Sequence, residues 1–238
     1  MFFTELIFFT PSGIEVMNHP AASGGEFDPE RLKFFICTGK RGGMDNMKIV
    51  CLLGSPRSKG NSSTLAKRLC ERAKELGAKI QMIQLNKLTY RGCQACMACK
   101  TKSDRCILKD DLESVLESVR GADVLVMASP IYYGEVASQL KAFIDRTYSF
   151  LASDYVTNPH PSRLSSGKKL VFILTQGQPD DRQFDDVFPR YDSFFKWYGF
   201  EESYLIRACG VMDIGDVEAH REAMLSTAET AEKVMGSR

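Results

Sequence analysis

Histidine and tryptophan are scarce in this chain: three of the first and one of the second in 238 residues. His19, His160 and His220 are scattered without ligand spacing, which argues against an imidazole-rich metal centre. A surplus of charge is also missing. Thirty-one Lys and Arg face thirty Asp and Glu, for a net charge of +1, so nothing marks nucleic acid or an anionic membrane as a partner. Long apolar runs are absent too. The opening Met1–Thr10 is apolar, but it holds Glu5 and breaks at Pro11, well short of the roughly 20 residues that cross a bilayer. No segment joins a basic start, an apolar stretch and a small-residue cleavage site, and there are no repeats or low-complexity tracts. Eight cysteines in a chain this long do not read as a secreted disulfide scaffold; a reducing cytoplasm is expected.

The first forty-six residues carry Pro11, Pro20 and Pro29 and no sustained hydrophobic period. Met44 and Met47 directly precede the first convincing strand. Residues 1–46 are therefore expected to be an extension preceding a native start at one of those methionines, the alternative being an arm that wraps a partner subunit. Residues 47–238 are expected to form one domain. From Lys48 onward, segments at 48–53, 79–85, 122–128, 169–175 and 202–209 read as strands, of which 122–128 and 169–175 are the continuously apolar runs of strands covered on both faces. Helical patterns lie between them: 62–76, with Leu65, Ala66, Leu69, Ala73 and Leu76 on one face and Gly77 as its stop; a short helix capped by Asp110 or Asp111; and 136–150, with Leu140, Phe143, Ile144 and Tyr148 inward. The aromatic segment 183–198, which Pro189 is expected to kink or split, and a closing helix over 216–235 complete the pattern. The alternation predicts an α/β fold with a five-stranded, parallel, doubly wound sheet.

Two turns stand out. Gly54-SPRSKGNSS-Thr64 leaves the first strand and opens the first helix. Small residues let backbone close around a ligand, and a helix start offers unpaired N–H groups. Ser55, Ser62, Ser63 and Thr64 add hydroxyls and Arg57 a charge, a set suited to a terminal phosphate. It is neither a triphosphate loop, since Asn61 stands where the lysine belongs, nor the G-x-G-x-x-G dinucleotide turn. The plainer reading is a helix capped by Ser62 or Ser63. The second turn, Pro130-IYY-Gly134, follows the third strand.

Between these turns lies Arg91-GCQACMACKTKSDRC-Ile107, where Cys93, Cys96, Cys99 and Cys106 form a C-x2-C-x2-C-x6-C run among Arg91, Lys100, Lys102 and Arg105. Thiolates ligate metals and attack disulfides, and nearby cations favour them. Three cysteines at this spacing can wrap one face of an iron–sulfur cubane and the fourth completes the set. The ferredoxin run, however, has a tighter last gap and a proline where Ile107 stands. Zinc favours two separated pairs. A [4Fe–4S] cluster, free or redox-active thiols, and zinc remain three open occupants. Cys37, Cys51, Cys70 and Cys209 read as inert.

Taken together, Gly54–Ser63 and Ser129-PIYYGEVASQLKAFID-Arg146 resemble the flavodoxin-like NAD(P)H-dependent FMN reductases, and the cysteine run is similar to that of the iron–sulfur flavoproteins within that superfamily. The resemblance covers about residues 48–210 and implies a flavodoxin-like three-layer sandwich. It implies that Ser55, Arg57, Asn61, Ser62 and Ser63 hold the FMN phosphate. Pro130, Ile131, Tyr132, Tyr133 and Gly134 would flank the isoalloxazine, with the Gln176–Gly177 turn on its other side. The looser last gap of the run fits the cluster seen among those relatives. The tyrosines suit such a ring in their own right, as flat apolar faces with a hydroxyl, and Gly134 allows close backbone approach. Their plainer reading is a plugged turn or a subunit contact. Glu135 reads as a solvated helix-start charge, and Trp197 with its neighbouring phenylalanines as core or dimer contact.

The expectation is an FMN oxidoreductase drawing on NAD(P)H and passing electrons to a flavin, quinone or other small acceptor, with no catalytic side chain to name because the flavin carries the chemistry. An electron carrier that exchanges with ferredoxin through the cluster is the alternative, and a flavin-binding sensor a third reading. By the same resemblance, a homodimer or homotetramer is expected.

Overall fold

Alternate residues of the strand Lys48–Leu53 belong to different halves of the core: Ile49, Cys51 and Leu53 pack on one face, Val50 and Leu52 on the other. This two-sided burial makes the run continuously apolar. The structure is a computed structural model that describes residues 6–10, 13–17 and 47–236. The expectations for Pro20, Pro29, His19, Cys37 and Met44 fall outside the described residues. The strands β1 (Leu6–Thr10) and β2 (Gly13–Met17) pair antiparallel, with Leu6 opposite Met17 and Thr10 opposite Gly13, in a unit separate from residues 42–238. The sequence shows no sustained period there, because each strand is only five residues long.

In the larger unit, β3 (Lys48–Leu53), β4 (Lys79–Gln84), β5 (Val124–Tyr132), β7 (Lys168–Thr175) and β8 (Phe200–Ala208) are parallel, in the order β4-β3-β5-β7-β8. The two-residue strand β6 (Glu135–Val136) adds antiparallel to the end of β5, a sixth strand beyond the five expected. The helices α1 (Asn61–Glu75) and α6 (Arg221–Met235) cover one face. On the other lie α3 (Leu112–Arg120), α4 (Ser138–Arg146) and α5 (Val187–Trp197). The short α2 (Ala98–Thr101) sits in the cysteine loop. The chain leaves β3 toward β4 on one side and returns to β5 on the other. The carboxyl ends of β3 and β5 therefore meet at a topological switch point, where such sheets bind ligands.

Several local expectations change. The third strand runs on to Tyr132 instead of ending at 128, and α4 ends at Arg146 with a 3₁₀ turn over Thr147–Phe150. Pro189 occupies the third position of α5; there its missing N–H has no intrahelical partner to lose, so the helix is not split. Phe194 and Trp197 are about half exposed, while Val187, Tyr191 and Phe195 face the core, which removes the core reading for those two rings. Asp111 stands at the start of α3, but its carboxylate accepts from the Thr89 N–H (2.7 Å) while Asp110 takes that of Leu112 (3.1 Å). His220 caps α6 by accepting from Ala223 N–H (3.3 Å).

Candidate functional site

The first turn of α1 is open. Gly60 holds the cap position with no side-chain cap bond, so neither Ser62 nor Ser63 is the N-cap. Ser62 Oγ is buried and without a hydrogen-bond partner among the described residues. An orphaned hydroxyl beside the first-turn N–H groups is a costly arrangement unless something anionic completes it. Gly60 is required by its surroundings: a Cβ there would lie 2.6 Å from Ser55 Oγ and 3.2 Å from the Arg57 carbonyl. Ser55 Oγ also accepts from Arg57 N–H (3.1 Å), which tightens the turn.

This turn opens into a cleft of about 230 Å³ at the carboxyl ends of the strands. Its walls bring together most of the residues singled out from sequence: Ser55, Arg57, Asn61, Ser62, Pro130, Ile131, Tyr132, Gln176 and Gly177. Ser63, Tyr133 and Gly134 are not on the wall. Ser63 is buried behind it, and Tyr133 is fully exposed. Gly60, inside the first turn already singled out, also lines the wall, and Thr175, Val211 and Met212 join it unannounced; the signal available for these three was their place at or just after strand ends on the same edge of the sheet.

The ring loop is a tight hairpin. Tyr132 pairs with Glu135, and Tyr133 and Gly134 both have positive φ, 51° and 77°, as a two-residue type I′ turn requires. Gly134 is therefore explained by its φ, and its close neighbour is Phe184, which a Cβ would meet at 3.3 Å. Ser129 fixes the base of the hairpin, accepting from Ala137 N–H (2.8 Å) and donating to the Pro130 carbonyl (2.7 Å). Glu135 is neither at a helix start nor freely solvated: it accepts from Tyr191 Oη (2.7 Å), Arg190 Nη1 (3.2 Å) and Val136 N–H (2.8 Å).

Two residues expected at the phosphate have other partners. Asn61 Nδ2 donates to the Asp213 carbonyl (2.8 Å), and its Oδ1 accepts from Gly215 N–H (3.2 Å) and Val217 N–H (3.4 Å). Arg57 Nη1 donates to the Met212 carbonyl (3.0 Å). Together they latch the segment after β8 onto the turn before α1 and place Met212 at the cleft. The Gln176 side chain is likewise engaged, with Arg207 (2.6 Å) and the Gln178 and Asp180 carbonyls (3.0 and 3.1 Å). Its backbone N–H donates to the Ala208 carbonyl while its carbonyl accepts from Val211 N–H (both 3.0 Å), so the residue meets the cleft as a fixed wall.

A second cavity, of about 420 Å³, is lined by all four cysteines of the run together with Arg146 and Tyr148. Ala95 and Met97, between the cysteines, are left-handed at φ 50° and 55°; these two kinks fold the loop back on itself. Burial pushes the Cys99 thiol up, Lys100 pulls it down, and the neighbouring cysteines push it up again. Among the described residues no group of three or more His, Cys, Asp or Glu is arranged as a metal site. The donor types and their shared cavity suit a cluster, but the thiols do not converge on one point. Cys51 and Cys70 are buried in the core and Cys209 is half-buried. Cys51 is pushed well up by a hydrogen bond with Cys70 and by burial.

A parallel sheet carrying an open helix start and an aromatic hairpin at its switch point defines the flavodoxin-like class of α/β proteins. The family model described as NADPH-dependent FMN reductase matches residues 47–181, and the chain belongs to that family. It is 36% identical over 101 residues to an iron–sulfur flavoprotein of Methanosarcina thermophila, covering 42% of this chain and 52% of that one; the chain thus spans about half the length of the curated relatives it matches. An FMN-dependent NADH-azoreductase of Bacillus anthracis, solved with FMN, shares the fold at TM-score 0.62 and 19% identity, over 79% of this chain and 99% of that one. An NAD(P)H:quinone oxidoreductase of Methanothermobacter marburgensis does so at TM-score 0.62 and 16% identity, over 79% and 97%. No helix among the described residues is long and apolar enough to cross a membrane.

Proposed function

We propose that the chain is an FMN-dependent oxidoreductase that takes electrons from NAD(P)H and passes them to a small acceptor such as a quinone or flavin. The observation that carries this reading is the orphaned, buried Ser62 Oγ at an uncapped helix start inside the cleft. Ser62, Ser55 and the first-turn N–H groups would hold the phosphate of FMN, with the Arg57 charge beside them. Tyr132 and the Pro130–Ile131 backbone would lie along one side of its ring and the Gln176–Gly177 turn along another. When bound, FMN supplies hydride acceptance and release, so the side chains bind, orient and exclude water rather than form bonds. Family membership and the quinone reductase and azoreductase neighbours support the same reading.

A second reading rests on the cysteine cavity: Cys93, Cys96, Cys99 and Cys106 would hold a [4Fe–4S] cluster. The chain would then act as an electron carrier exchanging with ferredoxin, as the similarity to iron–sulfur flavoproteins suggests. The two readings part on turnover. FMN-loaded protein that oxidises NADPH or NADH with a small acceptor supports the first; absence of turnover with every acceptor, together with four irons per chain after anaerobic purification, supports the second. Protein that stays colourless after soaking in FMN overturns both. We further propose a homodimer or homotetramer that uses the exposed edge-to-face pair Phe194 and Trp197, 6.5 Å apart; sedimentation as a monomer with full FMN affinity would overturn that assembly.

A further inference from the structure

The neck of the cysteine loop is closed by one buried guanidinium. Arg146, the last residue of α4, has a fully buried side chain. Its Nη1 donates to the Arg91 carbonyl on one side of the neck (3.2 Å), and its Nη2 donates to the Leu108 carbonyl on the other (3.2 Å). Asp110 completes the bridge. It takes both of its contacts with Nη1 at 2.7 Å and accepts the Arg91 N–H at 3.2 Å. Arg146 also lines the cysteine cavity, and its Nε is buried with no partner among the described residues. The side chain is packed behind the cavity wall rather than open to it, so a neck clamp alone leaves its spare Nε donor unexplained. Burying a charge is costly, and one carboxylate with two carbonyls leaves part of its hydrogen-bonding capacity unused.

We propose that Arg146 is a positioning residue for the cysteine loop, closing its neck and setting a fixed positive charge behind the four thiols. Because α4 begins just after the ring hairpin at Ser138 and ends at Arg146, the same helix fixes both the flavin wall and the thiol cavity. Tyr90 Oη, donating to the Gln139 carbonyl (2.8 Å), and Lys100 Nζ, donating to the Tyr148 and Leu151 carbonyls (both 2.6 Å), bind the loop to α4 and the turn after it. The electrostatic part of the proposal rests on the reading that the thiols hold a cluster; the clamp does not.

The test uses the full chain, supplied anaerobically with ferrous iron and sulfide, with iron content and a mediated potential titration as readouts. A nearby cation favours the more negative, reduced form of a thiolate-held centre. Arg146→Gln is expected to lower iron per chain and shift the midpoint to more negative values, and Arg146→Lys to bring it partway back. Asp110→Asn, which removes an anion and keeps the cation, is expected to shift it the opposite way and serves if Arg146→Gln does not fold. Identical iron content and midpoints across the variants would overturn the proposal. Wild-type protein that takes up no iron defeats the cluster reading and leaves the clamp to trypsin digestion of the iron-free chain. There, cleavage within 91–109 should be about tenfold faster or more in Arg146→Gln, because breaking a buried pair raises the population of the open loop; equal rates would refute the clamp.

Discussion

Tyr191 Oη donates a 2.7 Å hydrogen bond to Glu135 Oε1 and so ties α5 to the strand that closes the ring hairpin. Burial first, and then this bond to Glu135, push the Tyr191 phenol far above its ordinary value, so it remains a neutral donor throughout the ordinary pH range. Hydrogen bonds to charged groups contribute about 1.5–3 kcal/mol. Tyr191→Phe is expected to lower stability by that order in urea denaturation and to weaken FMN binding several-fold, because Tyr132 sits on the same hairpin. Affinity that holds while stability falls would show that the tie does not govern the ring wall.

Ser62 makes a sharper case. Among the described residues its hydroxyl is a buried donor with no partner, so Ser62→Ala should leave the stability of the FMN-free protein unchanged or raise it. If Ser62 holds the FMN phosphate as proposed, the same change removes that bond, and affinity should fall about tenfold. Riboflavin, which lacks the phosphate, should bind both proteins equally. A calorimetric titration with both flavins checks this, and equal FMN affinity in wild type and variant would remove Ser62 from the phosphate site.

The sheet and the two turns were legible because both depend on local rules. The central strands, buried on two faces, read as nearly unbroken apolar runs, whereas the edge strands β4 and β8 carry polar residues and were legible from their place in the alternation. Small residues between strand and helix marked the first turn as a candidate ligand turn. The sequence did not reveal that Asn61 and Arg57 reach across to residues more than 150 positions away, since no local pattern encodes which distant carbonyl an amide will meet. Nor did it show the I′ hairpin: Tyr133 at positive φ is a bulky residue where Gly, Asn or Asp is usual. Arg146 read only as the last residue of the second segment of resemblance, inside a helix expected over 136–150, because burial of a charge depends on the cysteine loop folding over it.

The latch around Asn61 predicts a pattern different from that of Ser62. Both polar ends of its amide are taken by the segment Asp213–Val217, so its role is to hold Met212 against the cleft. Asn61→Ala should weaken FMN and riboflavin by similar factors, because the wall is loosened while the phosphate contacts stay. Hydrogen exchange in residues 211–217 should rise in parallel. A loss confined to FMN would place Asn61 on the phosphate instead.

The Asp110–Arg146 pair sets an acid limit on the larger unit. Burial alone would push the Asp110 carboxyl up, but hydrogen bonds and charge from Arg146, with the N–H groups of Arg91 and Leu112, outweigh it and hold the carboxyl below its ordinary value. The sign follows: a carboxylate stabilised in the fold binds its proton less readily there than in the unfolded chain. Its contribution is fully present above the ordinary value of about 3.9 and is lost as pH falls through the folded value. Protonation then leaves the Arg146 guanidinium buried without a counter-charge, and the neck of the cysteine loop should open first. Urea midpoints measured from about pH 7 down to about pH 2 should fall steeply at the acid end for the wild type. Asp110→Asn should already be about 3–5 kcal/mol less stable at neutral pH and should lack that part of the acid decline. Parallel pH profiles for the two proteins would mean that the pair is not what fails in acid.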